Sequence, residues 1–214
     1  MSTAIDLEQG TDEWSLARAG RVTASRVADV LATTKSGHGA SRSNYMSELI
    51  VERLTGAPAE HFVSKEMQWG TDHEEEARIA YEELTGEIVR QVGFVEHPTI
   101  EMSGASPDGL VGSEGIVEIK CPNTATHIAT ILTGKADSRY YAQMQWQMEC
   151  TGRRWCDFVS YDPRMPENLR LFVVRVPYDA HWVSDACLEI GKFLAELDET
   201  VRKLRAVEVP ARAR

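Results

Sequence analysis

The stretch that decides the fold is EMSGASPDGLVGSEGIVEIK, residues 101–120. In its second half, Glu118 and Lys120 alternate with apolar neighbours, and this period of two predicts a β-strand. Residues two apart on a strand project from the same face, so the carboxylate and the amine point the same way. The Asp-Gly and glycine-rich spacing upstream predicts a hairpin or bent strand pair that returns Asp108 beside Glu118. The hairpin therefore gathers two acids and one lysine.

Two interpretations of this charged hairpin are open. Solvated acids and lysines on an edge strand are common, because a charged edge discourages pairing between sheets. Glu118 and Lys120, however, lie within IVEIKCP, residues 116–122, which is apolar enough for the interior of a sheet. A buried charge is costly unless it is paired or holds a metal ion. The second interpretation is therefore a site for a hard cation with a cationic neighbour, which is chemistry suited to cleaving phosphodiesters.

The composition limits the classes of protein to which this chain can belong. The 214 residues are 43% hydrophobic and 26% charged, which fits one globular domain over residues 1–214 with its own core. No apolar run approaches the roughly 20 residues of a membrane span, and the N-terminus has no signal-peptide pattern. We therefore expect a cytoplasmic protein without a membrane partner. The net charge of −10 argues against DNA binding without excluding it, because positive charge can be confined to a channel. Four scattered cysteines predict reduced thiols.

The N-terminal part, residues 1–65, is predicted to be helical and to hold a phosphate site. A first helix ends at Gly20, and Thr23 or Ser25 would cap a second helix. A helix N-terminus with hydroxyls and nearby arginines can bind phosphate. An ordinary capped helix with surface arginines fits the same spacing equally well. The arginines concerned are Arg18, Arg21 and Arg26. Residues 34–43 are predicted to form a loop before a helix over about 44–54.

The catalytic core is predicted over residues 66–177, followed by a C-terminal helix over 178–205 and a tail, 206–214, without order. In the helix over about residues 66–84, the apolar stripe extended backwards reaches Glu74, whereas Glu75 falls off it. The stripe itself consists of Ala77, Ala80, Tyr81 and Leu84. Strands are predicted at 88–95, around 102, at 155–161 and at 169–176, with helices at 125–132, 139–148 and 180–204. This order predicts an α/β protein with a central mixed sheet flanked by helices.

The predicted helix over residues 139–148 carries polar and aromatic side chains. Tyr140, Gln143 and Gln147 share one of its faces. Tyr140, Tyr141 and Trp146 could stack on separated bases, since every base offers a flat apolar face. For Trp146, packing in the helix core is the simpler interpretation.

Six motifs in order resemble the phage lambda exonuclease group, or YqaJ-type viral recombinases, within the PD-(D/E)xK nuclease superfamily. They are spread from Asp12 to Val176. The motifs are WSLARAGRVTAS (14–25), WGTDHEEEAR (69–78), SPDGL (106–110), EIKCP (118–122), YYAQMQ (140–145) and YDPRM (161–165).

This resemblance implies a restriction-endonuclease-like core and a 5′-to-3′ exonuclease. Such an enzyme degrades one strand of linear double-stranded DNA and leaves a 3′ overhang for a single-strand annealing protein. The resemblance also implies a homo-oligomer, a trimeric ring that encloses DNA, in the cytoplasm of the host cell if the gene is carried by a phage. Two alternatives stay open. One is a structure-selective or restriction-type endonuclease on the same core, and the other is a non-catalytic module that binds DNA ends.

The resemblance leads to a hypothesis for the site residues. Asp108 bridges two Mg²⁺ ions, for which Mn²⁺ can substitute, while Glu118 and the carbonyl of Ile119 complete one coordination shell. Glu74 ligates the other ion or orients water near it. Lys120 acts on the attacking water or neutralises charge on the phosphate, and Gln143 positions the water or the cleaved strand. Arg18, with Ser25 and Thr23, binds the 5′-phosphate. Tyr140 binds DNA.

Overall fold

The computed structural model describes residues 4–5, 7–35, 37–59 and 64–207. Its helices are α1 (Asp12–Arg18), α2 (Val27–Val30), α3 (Ala40–Thr55), α4 (Lys65–Thr85), α5 (Thr124–Thr133), α6 (Tyr141–Thr151) and α7 (Ala180–Arg205). Its strands are β1 (Ala4–Ile5), β2 (Val22–Thr23), β3 (Thr33–Thr34), β4 (Gly37–His38), β5 (Val89–Arg90), β6 (Phe94–Glu96), β7 (Ser103–Ala105), β8 (Gly109–Val111), β9 (Gly115–Lys120), β10 (Trp155–Tyr161) and β11 (Leu171–Pro177).

The central sheet has five strands in the order β11-β10-β9-β8-β5. The pair β9–β10 is parallel, and the other pairs are antiparallel, so the sheet is mixed as the sequence predicts. Strand β9 has a neighbour on each side, and its residues from Gly115 to Ile119 are buried. The charged hairpin is therefore interior, and its interpretation as a solvated edge is wrong.

Alternate residues of β9 face two different layers of the molecule. Val117 and Ile119 belong to an apolar cluster with Ala77 and Tyr81 of α4. Ile116 belongs to the larger cluster on the other face, which includes Trp146 of α6 and residues of α7. Because residues two apart share a face, Glu118 points toward α6 from the middle of a buried strand.

A smaller sheet, in the order β1-β6-β7-β2, lies beside the first. The predicted continuous strand over residues 88–95 is wrong, because β5 joins the central sheet and β6 joins the smaller one. Gly93 stands at this crossing, where an added Cβ would lie 2.2 Å from the carbonyl oxygen of Leu7. The close approach of the two backbones thus divides the segment. Likewise, the strand predicted around residue 102 begins one residue later, because Met102 has a left-handed backbone with φ of +59°.

Two N-terminal predictions need correction. The second helix is only a 3₁₀ turn at Ala24–Arg26 followed by the four residues of α2, and the Thr23 side chain makes no capping bond. Helix α3 begins at Ala40 rather than near residue 44. It starts early because β3 and β4 form a small hairpin that Gly39 closes, its N–H donating to the carbonyl of Ala32 at 2.8 Å.

The longer helices agree with their sequence patterns. Helix α4 is capped by Ser64, and of its three consecutive glutamates Glu74 is half-buried while Glu75 and Glu76 are exposed. The apolar stripe ends one turn earlier than predicted, since Leu84 is 65% exposed. Trp146 is fully buried and donates to Ser103 Oγ at 3.1 Å, which confirms its place in the core.

The four cysteines are free thiols in the structure. In the part of the chain that the structure describes, no helix is both long and apolar enough to cross a membrane. Most of the tail predicted over 206–214, namely residues 208–214, lies outside the described residues.

Candidate active site

The predicted hairpin brings Asp108 to Glu118. Strands β8 and β9 pair antiparallel with Gly109 opposite Val117, and Asp108 Oδ2 accepts the N–H of Ile119 at 2.6 Å. Gly109 is needed after the acid, because a Cβ there would lie 2.0 Å from Val89 Cγ1. The turn therefore fixes the Asp108 carboxylate against the end of β9.

The carboxylate of Glu118 is fully buried and is held by side chains that donate to it. Gln143 Nε2 donates to Oε1 at 2.5 Å, and Gln147 Nε2 donates to Oε2 at 2.6 Å. Lys120 Nζ forms an ion pair with Oε1. A buried carboxylate without partners would be strongly destabilising, so these donors compensate its loss of water.

Gln147 is a site residue that the sequence hypothesis leaves without a role. Its signal was present, since Gln147 lies four residues after Gln143 and therefore on the same helical face. What the sequence could not show is that this face lies against Glu118. The Gln147 side chain is fully buried, and its Oε1 has no hydrogen-bond partner among the described residues.

Under the hypothesis that Glu118 holds a metal ion, we expect Gln147→Leu to lower turnover at this site by about 10–100-fold, the usual cost of removing a partner that orients a metal ligand. The substitution removes one hydrogen-bond donor from Glu118 and places an apolar side chain at a buried position of α6. The measurement is turnover against Mg²⁺ concentration, with half-maximal activity moving to higher Mg²⁺. The matched control is Gln145→Leu, because Gln145 is equally buried on α6 but donates to the carbonyl of Pro177 at 2.9 Å. Equal Mg²⁺ curves for the two variants would contradict the positioning role.

The charges at the site perturb one another. Burial raises the pKa of Asp108 well above its usual value, and Glu118 adds to the rise while Lys120 opposes it. Burial also raises the pKa of Glu74, with Lys120 opposing and Glu118 adding. For Lys120, burial alone lowers the pKa, but Glu118 and Asp108 outweigh it and raise the pKa overall. Lys120 is therefore an ammonium, and it is one cation beside an excess of carboxyl groups, namely Asp108, Glu118 and Glu74.

This excess, together with the donor atoms, fits a divalent hard cation. Asp108, Glu118, Glu74 and the carbonyl of Ile119 offer only oxygen atoms, which Mg²⁺ prefers. A divalent ion would also stabilise the ionised forms of Asp108 and Glu74, whose pKa values are raised by burial and by the neighbouring Glu118. The residues present thus fit the metal that the sequence predicts.

A different trio of potential ligands lies closer together. Within the described ranges, His97, Glu149 and Cys187 are the one set of three whose ligand atoms lie within 4.8 Å of one another. His97 Nδ1 accepts the N–H groups of Thr99 at 3.2 Å and Ile100 at 2.9 Å. The neutral ring therefore carries its proton on Nε2, the atom that faces Glu149 and Cys187. With Nε2 protonated, this trio is a hydrogen-bonded cluster rather than a metal site.

A cleft of about 750 Å³ opens beside Lys120. Tyr140 lines it from the 3₁₀ turn that precedes α6, and Lys120 Nζ lies 5.2 Å from the centre of the Tyr140 ring. On the opposite side, the Arg164 guanidinium lies 4.5 Å above the Trp69 ring, and the Trp69 Nε1–H has no partner among the described residues. Glu74 also lines this cleft. Cationic and aromatic groups thus surround the outer side of the acids.

Of the three arginines predicted near the phosphate site, two form ion pairs with acids of the chain and one does not. Arg21 pairs with Glu96, and Arg26 pairs with Asp29 and Glu48. Arg18 forms no hydrogen bond or ion pair within the described chain, and its guanidinium lies 3.8 Å from the centre of the Trp14 ring. Burial lowers the pKa of Arg18 to about 10, although Tyr45 and Glu52 oppose the change.

The two predicted hydroxyls, of Thr23 and Ser25, lie close to each other. Thr23 Oγ1 and Ser25 Oγ are 3.5 Å apart, with Thr23 buried and Ser25 exposed. Neither hydroxyl bonds Arg18 in the described residues. Trp14 Nε1, however, donates to Ser106 Oγ at 3.0 Å, which connects α1 to the turn that carries Asp108. Ser106 had no assigned role in the sequence hypothesis.

A mixed sheet flanked by helices, with an acidic turn at its central hairpin, defines an α/β protein with a restriction-endonuclease-like core, as the sequence predicts. Residues 13–154 match the model of the YqaJ-like viral recombinase domain, and the chain belongs to that family.

Two solved proteins resemble the chain in structure. An alkaline exonuclease from Laribacter hongkongensis is 53% identical in sequence to this chain and superposes on it with a TM-score of 0.85. The match covers 91% of this chain and 96% of the exonuclease chain. The same values hold for that exonuclease in complex with dAMP. A phage-related exonuclease from Haemophilus somnus is 17% identical and has a TM-score of 0.67. The match covers 86% of this chain and 96% of that chain, and at this identity it shows the fold alone. No curated protein sequence matches the chain.

Proposed function

We propose that the protein is a Mg²⁺-dependent exonuclease that degrades one strand of linear double-stranded DNA from its 5′ end. It releases products with 5′-phosphates and leaves a 3′ single-stranded overhang. The observation that carries this proposal is the contact of Lys120 with the buried Glu118, beside Asp108 and at the edge of a cleft lined by cations. The exonuclease activity named for the relative at 53% identity supports it.

Asp108, Glu118 and the Ile119 carbonyl would hold the metal ions, and Glu74 would ligate them or orient their water. Mg²⁺ held there would supply an activated water and would stabilise the leaving oxygen. Lys120 is an ammonium, so its role is to neutralise charge that develops on the phosphate and to orient the water. Gln143 and Gln147 each hold one oxygen of Glu118, and they would orient that carboxylate toward a metal ion. Tyr140 stacks on the substrate strand in the cleft.

The direction of digestion tests this function. A linear duplex labelled at the 5′ end of one strand should lose its label at once in Mg²⁺, whereas a 3′ label should persist until the strand is short. EDTA should abolish both losses, and closed circular duplex should stay intact. Cleavage of the circle would instead favour an endonuclease, and early loss of the 3′ label would reverse the proposed polarity.

Arg18 is proposed to bind the terminal 5′-phosphate, with Ser25 and Thr23 near it. The Arg18 side chain is half-buried, unpaired in the described chain and held in place by Trp14, so an anion would provide the partner that it lacks.

We expect Arg18→Gln to reduce the preference for 5′-phosphorylated over 5′-hydroxyl ends by about ten-fold, the usual effect of losing a charged hydrogen bond. The measurement compares initial rates on the two duplexes. Arg21→Gln is the control, because Arg21 already pairs with Glu96. An unchanged preference in Arg18→Gln would contradict the assignment.

The assembly is proposed from the same family resemblance. A homotrimeric ring around DNA would keep the enzyme on its substrate, and large apolar side chains exposed on this chain, Leu84, Ile88 and Leu132, are candidates for burial between subunits. The single-strand annealing protein is the expected partner that receives the overhang, in the cytoplasm of the host cell. Residues 1–65 would bind the DNA end, and 66–177 would carry the chemistry within one nuclease domain.

A further inference from the structure

Two consecutive arginines lie at the end of the central sheet opposite Lys120. Arg153 and Arg154 directly precede β10, whose first residue, Trp155, pairs with the first residue of β9, Gly115. Lys120 is the last residue of β9, and the length of that strand separates the two ends by about 17 Å. The two arginines are therefore remote from the candidate active site.

The sheet brings a third arginine to the same end. Arg153 Nη1 donates to the carbonyl of Gly112, in the turn between β8 and β9, at 2.7 Å. Arg90 lies on β5, the strand that pairs with β8. Arg154 lies on the other side, next to β11, where its guanidinium is 5.8 Å from the centre of the Tyr178 ring. Because neighbouring strands are about 4.8 Å apart, Arg90, Arg153 and Arg154 form an extended row across the strand ends, the arginine row.

The arginine row carries positive charge that lacks acid partners. None of its three members forms an ion pair within the residues that the structure describes, and Arg90 and Arg154 are exposed. Burial lowers the pKa of Arg153, and the neighbouring Arg90 lowers it further, while Glu114 opposes the change. Like charges held close together repel, so anions placed along the row would stabilise it.

Two acids near the arginine row do not cancel its charge. Glu114 is exposed in the turn before β9 and forms no ion pair in the described chain. Glu149 accepts the hydroxyl of Tyr178 at 2.5 Å and lies 3.9 Å from the Nε2 atom of the buried His97. Three arginines against two acids leave a net positive charge here, although the whole chain has a net charge of −10.

A single strand of nucleic acid fits this arrangement. Such a strand carries one phosphate per nucleotide along its backbone, so its charges are spread along a line like those of the arginine row. Arginine presents its donors in a planar fork that matches phosphate oxygens. Proteins that hold single strands combine positive charge with aromatic rings on which bases stack. Tyr178, half-buried beside Arg154, supplies such a ring at one end of the row.

We propose that the arginine row binds the phosphates of single-stranded DNA, and that this strand is the 3′ overhang left by digestion. The first part concerns binding alone, whereas the identity of the strand rests on the proposed function. An enzyme that removes one strand beside Lys120 leaves the other strand single, and the arginine row would hold that strand at the far end of the sheet.

Binding is measured in EDTA, so that the result does not depend on cleavage. A fluorescein-labelled oligothymidylate of about 20 nucleotides, longer than one such site needs, is titrated with the full chain over a series of NaCl concentrations. Each phosphate contact with a single strand contributes about 0.7 to the slope of log affinity against log salt. We therefore expect the double variant Arg90→Gln/Arg154→Gln to lower the slope by about 1.4. Arg153 is left in place because it holds the turn at Gly112.

The double variant Lys192→Gln/Arg202→Gln is the matched control. It removes the same two charges from exposed positions of α7, where Lys192 pairs with Glu189 and Arg202 pairs with Glu199. Its salt slope should equal that of the unmodified protein. Thermal unfolding of both double variants checks that they fold. Equal salt slopes for the two double variants would overturn the proposal.

Two further probes identify the ligand. A duplex with a 3′ overhang of about 20 nucleotides should bind more tightly than the blunt duplex, and Arg90→Gln/Arg154→Gln should lose this advantage. A deca-glutamate peptide should bind at least about ten-fold more weakly than the oligothymidylate, because it has no bases to stack on Tyr178. Tighter binding of the peptide would overturn the proposal, and an overhang advantage that survives in the double variant would overturn the assignment to the overhang. Absence of digestion from the 5′ end, with oligothymidylate binding intact, would refute the proposed function alone.

Discussion

Replacing Lys120 by alanine is expected to lower single-turnover cleavage of duplex DNA by about 10³-fold, near the upper end of what removal of one preorganised charge costs. Among the residues that the structure describes, the Lys120 ammonium is the one cation in contact with the buried carboxylate of Glu118, and it borders the cleft that would receive the phosphate. The measurement is a rate at saturating enzyme, so that DNA binding does not limit it. DNA affinity should change little, because the cleft keeps Arg139 and Arg164.

Lys135→Ala controls for the loss of one positive charge. Lys135 is exposed just after α5 and does not line the cleft. Because Lys120→Ala also leaves Glu118 with one partner fewer, its unfolding midpoint should be recorded beside its rate. A well-folded Lys120→Ala protein with wild-type turnover would remove Lys120 from the chemistry.

Asp108→Asn is expected to reduce activity by at least about 100-fold through loss of metal binding, more than the 10–100-fold cost of disturbing a residue behind a ligand. Asparagine keeps an oxygen that can accept the N–H of Ile119, so the turn should survive. What the variant loses is the negative charge, which burial and the neighbouring Glu118 disfavour and which a divalent cation would stabilise. Activity against Mg²⁺ and direct titration with Mn²⁺ by electron paramagnetic resonance give two independent measurements.

Glu75→Gln is the matched control for Asp108→Asn. It removes one carboxylate next to Glu74, but Glu75 is exposed and its one ion pair, with Arg78, spans 3.8 Å. Its Mn²⁺ affinity should equal that of the unmodified protein. Wild-type Mn²⁺ affinity in Asp108→Asn would show that the metal is held elsewhere.

The hairpin and the main helices were predictable because their signals are local. The period of two around Glu118 and the glycine turn before it specify a strand pair within some twelve residues, and the structure confirms Asp108 against Ile119. The stripe in α4 likewise identified Glu74 as the most inward of three glutamates. The six ordered motifs led to the family that the comparison shows.

Other features depend on contacts between distant segments. The division of residues 88–95 between two sheets follows from the approach of Leu7 to Gly93, which no local pattern reveals. The role of Gln147 required α6 to pack over β9, and only that packing turned a shared helical face into a second donor to Glu118. The pairing of Arg21 and Arg26 with acids, which leaves Arg18 unpaired in the described chain, is also a tertiary result.

The sequence by itself determined the hairpin, the longer helices, the acids and lysine that the hairpin gathers, and the family. Tertiary structure decided which side chains hold Glu118, and which of the three N-terminal arginines has no ion pair in the described chain. The physical reason is that strand and helix periods act over a few residues, whereas the partner of a buried charge is set by whichever element packs against it.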